Sequence, residues 1–128
     1  MAIRPIIQFP DPLLNRAAET VSLFDDDLRR LADDLLDTMR AAPGIGITAP
    51  HVGVLQRVTV IELDREAEPR TFINPEIVWH SPETTHHSEG SVSMPGISEE
   101  VERPMSVRVR YQTLSGETRE EEASGLMA

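Results

Sequence analysis

The sequence predicts an α+β domain in which one N-terminal helix packs on mostly antiparallel strands. Three observations carry this. Leu28, Leu31, Ala32, Leu35, Leu36 and Met39 recur at helical spacing and form a single apolar stripe. Beyond Gly44 the hydrophobic period changes from 3.6 to 2. The 128 residues suit one compact domain, residues 1–128, and a domain of this size buries roughly two-thirds of the surface its unfolded chain exposes.

Taken in order, Asp11-Pro12 marks a turn or a short helical start. Asp25-Asp26-Asp27 opens the helix: the aspartates favour the positive end of the helix dipole, and Asp25 or Asp26 can cap its free N–H groups. Pro43-Gly44 ends it. Val58–Leu63 reads as a mostly buried strand. Thr71–Asn74 and Glu76–His80 read as strands on either side of Pro75, with Trp79 packed at a strand edge. Val107, Val109 and Tyr111 alternate with Arg108, Arg110 and Gln112, a half-buried strand. Leu114–Glu117 is a turn into an extended segment, Thr118–Glu122, whose acidic tract reads as solvated. With three Phe, one Tyr and one Trp, the core rests on aliphatic side chains, Met and Ala.

Composition narrows the function. Twelve basic against twenty-two acidic side chains give a formal net charge of −10. Such a surface repels phosphate backbones and argues against nucleic-acid binding. There are no cysteines, so disulfides and thiolate metal sites are excluded. The short apolar stretch before Phe9-Pro10-Asp11-Pro12 is no signal-peptide core, and no run approaches the roughly 20 apolar residues of a membrane helix. The expectation is a cytoplasmic protein that does not engage a membrane.

Two segments stand out. In Gly44-Ile45-Gly46-Ile47-Thr48-Ala49-Pro50-His51-Val52-Gly53, small residues follow the helix and precede a strand. The glycines let a ligand's backbone approach closely; the plainer reading is a tight helix-to-strand connection. The pattern opens no helix, so it is no dinucleotide fingerprint. Glu89-Gly90-Ser91-Val92-Ser93-Met94-Pro95-Gly96 reads as a loop with a short extended piece. Ser91 lacks a Gly-x-Ser-x-Gly elbow, and serines in such loops mostly bond locally.

Together these segments resemble the two signatures of peptide deformylases, Gly-Φ-Gly-Φ-Ala-Ala-x-Gln (Φ apolar) and Glu-Gly-Cys-Leu-Ser. Arg4-Pro5-Ile6, Phe9–Pro12, the helix ending at Met39, Ile73–Ile77, Val101–Pro104, Gly116-Glu117 and Ala123–Ala128 fall in the family's order. The resemblance covers essentially the whole chain. It implies a peptide-deformylase-like fold and relation to enzymes of translation that hydrolyse the formamide of N-formylmethionyl peptides. Such enzymes hold a divalent metal such as iron or zinc between the signature cysteine and two histidines of a His-Glu-x-x-His helix. Three protein ligands and a water activate the nucleophile, and the helix glutamate moves its proton.

Measured against that resemblance, the chain departs in three ways. Ser91 stands where the family has its cysteine, and a neutral hydroxyl is a poor ligand. No His-Glu-x-x-His occurs in these 128 residues, so the C-terminal histidine helix is absent from this chain, which looks truncated at its C-terminus. His51 stands where the family has a glutamine that helps bind the oxyanion. The resemblance therefore implies a pseudoenzyme: no resident metal or other cofactor, His51, Ser91 and the backbone N–H of Val92 at the former catalytic centre, and Gly44, Ile45, Gly46, Glu89 and Gly90 lining a groove for peptide N-termini. Glu89 and Arg103 would brace the second signature. The sheet face left by the missing helix would favour self-association. Four other readings are weighed beside this one. The first is an active metallohydrolase whose C-terminal part lies outside this sequence. The second is a Ser91–His51 nucleophile–base pair, for which no third group to orient His51 is evident. The third is a compensating metal site among His80, His86, His87 and Glu89, in a region that otherwise reads as solvated. The fourth is a purely structural or interaction module.

Overall fold

The computed structural model describes residues 3–8, 10–42, 44–63, 68–91 and 93–124, with backbone alone at 87 and 94–97. Helix α1, Asp26–Ala41, forms where the stripe predicts it. The Asp25 carboxylate accepts the N–H of Leu28 at 3.1 Å, Asp26 and Asp27 occupy the first turn and Arg40 the last, so caps and charges agree with the dipole. A 3-10 turn at Pro12–Asn15 begins at Asp11, as Asp11-Pro12 predicts.

Five antiparallel strands form the main sheet in the order β1-β2-β3-β6-β7, with β1 Gly46–Thr48, β2 Val58–Ile61, β3 Arg70–His80, β6 Ser106–Gln112 and β7 Thr118–Ser124. The alternation of side chains sorts them onto two faces. Ile47, Val58, Val60 and Ile73 turn to one side and pack against Leu28, Leu31, Leu35 and Met39 of α1, a core in which Leu35, Met39 and Ile73 are fully enclosed. On the other face Phe72, Ile77, Val107 and Val109 line an open groove of about 360 Å³. The Tyr111 ring meets Phe72 edge-on at 4.7 Å. Among the described residues no helix is long and apolar enough to cross a membrane.

Four expectations change. Thr71–Asn74 and Glu76–His80 are one strand, β3, with a bulge between Ile73 and Glu76. Pro75 has no N–H for the ladder, and the chain bulges around it, with Asn74 at φ 51. The loop expected over Glu89–Gly96 is instead part of a hairpin, β4 Thr84–Ser91 paired with β5 Met94–Pro104. Its Gly, Ser, His and Glu content conceals a strand whose stability comes from cross-strand pairing. Ser81, in the region read as solvated, is buried, and it exchanges hydrogen bonds with Ser106 at the start of β6, where the hairpin leaves the main sheet. Trp79 lies on an interior strand, 42% exposed, with the Arg108 guanidinium 5.8 Å over its ring.

Candidate functional site around His51 and Ser91

His51 lies on a 3-10 turn, Ala49–Val52. Pro50 sets a helical φ without needing a partner for an N–H, and Gly53 closes the turn at φ 82. Thr48 caps it. The Thr48 N–H donates to His51 Nδ1 at 3.0 Å, and the Thr48 hydroxyl lies at the same distance from Nδ1. This reproduces a capping box with imidazole in place of Glu or Gln. The N-terminal segment adds a second restraint, the Ile7 N–H donating to the His51 carbonyl at 2.8 Å. Burial holds the His51 imidazole below its ordinary pKa, so the ring is neutral at pH 7.

Ser91 ends β4 and is exposed. Its Oγ accepts the Ser93 N–H at 3.2 Å and stands 3.5 Å from His51 Nε2, the long end of hydrogen bonding. The fold therefore brings the two signature segments together at this pair, 40 residues apart in sequence. A third group does orient His51. It is the Thr48 N–H, a donor, where a serine hydrolase places an acceptor.

The residues expected from sequence to line a peptide groove lie on the two segments that carry this pair. Gly46 opens β1, an outer strand of the sheet, with Gly44 and Ile45 just before it. The Gly44 N–H bonds to Met39 at the end of α1, and the Ile45 carbonyl accepts the Glu62 N–H at 2.8 Å. The buried Glu62 carboxylate in turn accepts from Arg40 Nε at 3.0 Å, tying α1 to this segment. Glu89 and Gly90 immediately precede Ser91 in β4. Glu89 receives two hydrogen bonds from Arg103, at 3.0 and 3.1 Å, the brace expected from sequence. That bond to Glu89 raises the Arg103 pKa. Val92 lies outside the described residues, as does the side chain of His87.

A divalent ion does not fit the donors in place. Ser91 Oγ is neutral and already accepts a backbone N–H, while His51 Nδ1 is committed to Thr48. Among the described residues no group of three His, Asp or Glu side chains could hold one. His86 Nδ1 instead lies 3.8 Å from Glu100.

Residues 3–128 match the family model for polypeptide deformylase. The chain belongs to the polypeptide deformylase family. It is 70% identical to a peptide deformylase-like protein of Rhizobium meliloti, over all of this chain and 74% of the relative. It is 50% identical to a peptide deformylase of Phenylobacterium zucineum, over all of this chain and 78% of that one. Among solved structures, peptide deformylase from Thermotoga maritima superposes with a TM-score of 0.93 at 38% identity, covering 98% of this chain and 84% of that one. A class I type b peptide deformylase from Acinetobacter baumannii gives 0.95 at 34%, covering 100% and 88%. Thr48 and Ser93 are the site residues that sequence inspection overlooks. The Thr48-x-x-His51 spacing ahead of Pro50 is the signal for the first; a backbone N–H, the part Ser93 plays, leaves no mark in sequence.

Proposed function

We propose that this member of the family binds peptide N-termini of the N-formylmethionyl kind without hydrolysing them. One observation carries the reading: the position of the family's metal-bound thiolate holds Ser91, a neutral hydroxyl engaged with Ser93 and His51. Without a thiolate, the plan of three protein ligands and an activated water is not met. Binding is a separate matter. Among the described residues β1 is an outer strand, so its open edge can receive an extended peptide as an added strand. A Cβ built at Gly46 would meet Ile61 Cγ1 and the Val60 carbonyl only at 3.8 Å, an ordinary contact. The fold thus does not require glycine there, whereas a close-lying ligand backbone does.

The test is turnover and titration of formyl-Met-Ala-Ser with the purified protein. Saturable binding without turnover is expected. Gly46→Ala should weaken binding several-fold at unchanged melting temperature. Turnover abolished by a chelator would replace this reading with that of an active metallohydrolase. Turnover that survives the chelator but disappears in Ser91→Ala would favour a serine nucleophile. Absence of binding would leave a structural module.

A further inference from the structure

Resting on that reading, we propose that Thr48, His51 and Ser93 together make Ser91 an outward hydrogen-bond donor, so that the site takes an acceptor oxygen, from a formyl carbonyl or a carboxylate, and not a cation. Protons and lone pairs can be followed one at a time. A backbone N–H can only donate, and that of Thr48 points at His51 Nδ1 from 3.0 Å. The nitrogen facing it must therefore be bare. The Thr48 hydroxyl, which rotates, can suit either tautomer; the N–H cannot. A neutral imidazole carries one proton, and it falls to Nε2, the atom that faces Ser91 Oγ at 3.5 Å. Ser93 sends its own N–H to the same oxygen at 3.2 Å. A hydroxyl oxygen has two lone pairs. Once Nε2–H closes the last few tenths of an ångström, both are occupied, and what Ser91 has left to offer is its O–H. The residue is exposed, so that proton is open to a ligand.

Two chemistries are thereby removed and one is favoured. A nucleophilic serine needs a base to take its proton, and the facing nitrogen already bears one. A metal ligand must give a lone pair, and with Nε2–H closed on Oγ both are engaged. A carbonyl or carboxylate oxygen, in contrast, finds a donor whose own acceptor sites are filled, and bonds in such a chain polarise one another. The relay runs from the Thr48 N–H through the imidazole to Ser91 and ends on the ligand.

The experiment uses the full chain with 15N-labelled histidine. Long-range proton–nitrogen spectra read the His51 tautomer directly, without any variant. The protein is then titrated with formyl-Met-Ala-Ser, sodium formate and zinc chloride. Expected are the Nε2–H tautomer, movement of the His51 signals with both oxygen ligands, no response to equimolar zinc, and roughly 2- to 10-fold weaker binding in Ser91→Ala, the loss of about one hydrogen bond. The Nδ1–H tautomer would overturn the proposal whatever binds. So would a stoichiometric zinc response, silence toward both oxygen ligands, or peptide affinity unchanged in Ser91→Ala, the last leaving the peptide groove intact. Formate binding that depends on Ser91, without peptide binding, supports the donor and sinks the groove.

Discussion

Asn74 offers the sharpest test of how the fold is held together ahead of the site. It sits at the β3 bulge with φ 51. Its Oδ1 accepts the Val21 N–H at 2.7 Å, and its Nδ2 donates to the Val21 carbonyl at 2.9 Å and to Gln112 Oε1 at 2.7 Å. One side chain thus fastens the segment before α1 to the third and fourth strands of the sheet. Asn74→Ala removes three bonds of roughly 0.5–1.5 kcal/mol each and leaves at positive φ the β-carbon that asparagine already carries. Because the three bonds share one residue they do not add fully, and a loss of about 2–3 kcal/mol is expected. Asn74→Gly loses the same bonds but relieves the backbone, so it should be about 1 kcal/mol more stable than the alanine variant. Asn74→Asp keeps an acceptor for Val21 and loses both donated bonds, and should fall between wild type and glycine. Urea denaturation with unchanged m-values measures all three. An alanine variant within about 0.5 kcal/mol of wild type, the scatter of ordinary surface changes, would refute the bonding account. Equal stability of the alanine and glycine variants would refute the backbone account.

Leu35 is wholly buried between α1 and the sheet, and Leu35→Ala should cost about 2–5 kcal/mol in the same assay; a loss below 1 kcal/mol would mean the core is not where we place it. The Glu121 carboxyl is held below its ordinary value of 4.5, chiefly by the hydrogen bond from Arg70. A depressed folded-state pKa stabilises above the unfolded value and is lost as pH falls toward the folded one. Glu121→Gln should therefore flatten the decline in melting temperature below about pH 4.5; an unchanged decline counts against the Arg70 pairing. Ser91→Cys places a thiol before the N–H groups of Ser93 and His51, which favour the thiolate, so its pKa should lie below the ordinary value of about 8.5. The pH profile of iodoacetamide alkylation reads it, and a midpoint at or above 8.5 would contradict the donor geometry.

Helix α1 was legible in the sequence because its stripe, its Asp25 cap and its acidic first turn all agree, and local agreement of this kind survives any tertiary context. The strand at Val107–Tyr111 was legible for the same reason, since one of its faces is buried and the other wet. The β4–β5 hairpin was not. Thr84–Ser91 carries no apolar alternation, and most of its partners, from Glu99 to Pro104, lie ten or more residues away. Pro75 misled in the opposite direction: a residue that cannot join the ladder looks like a break, whereas the side chain of Asn74 bridges it. The acidic tract was half read. β7 is an edge strand among the described residues, but Glu121, though partly exposed, pairs with Arg70 and Tyr111. At the site, Ser91 and His51 could be placed beside each other only through the family signatures. The spacing of 40 residues says nothing, and what decides their chemistry is a pair of backbone N–H groups.

The two signature departures differ in weight. In a capping box of the Thr-x-x-Gln form, the glutamine carbonyl would accept the N–H of the cap residue and leave its amide N–H₂ facing away. His51 does the same with different atoms: Nδ1 receives the Thr48 N–H and, in the tautomer proposed above, Nε2–H faces Ser91. An acceptor stays inside and a donor stays outside, so imidazole for amide preserves the direction of hydrogen bonding at position 51. Position 91 has no such equivalence. A thiolate only accepts, whereas a hydroxyl that receives the Ser93 N–H and, as proposed, Nε2–H can only give. The polarity of the site is therefore reversed at one atom, Ser91 Oγ, while the scaffold around it, from the Thr48 cap to the Glu89–Arg103 brace, keeps its form. On the reading proposed above, a site altered in this way would keep the donor that meets a peptide terminus and give up the lone pair on which a metal-bound hydroxide would depend.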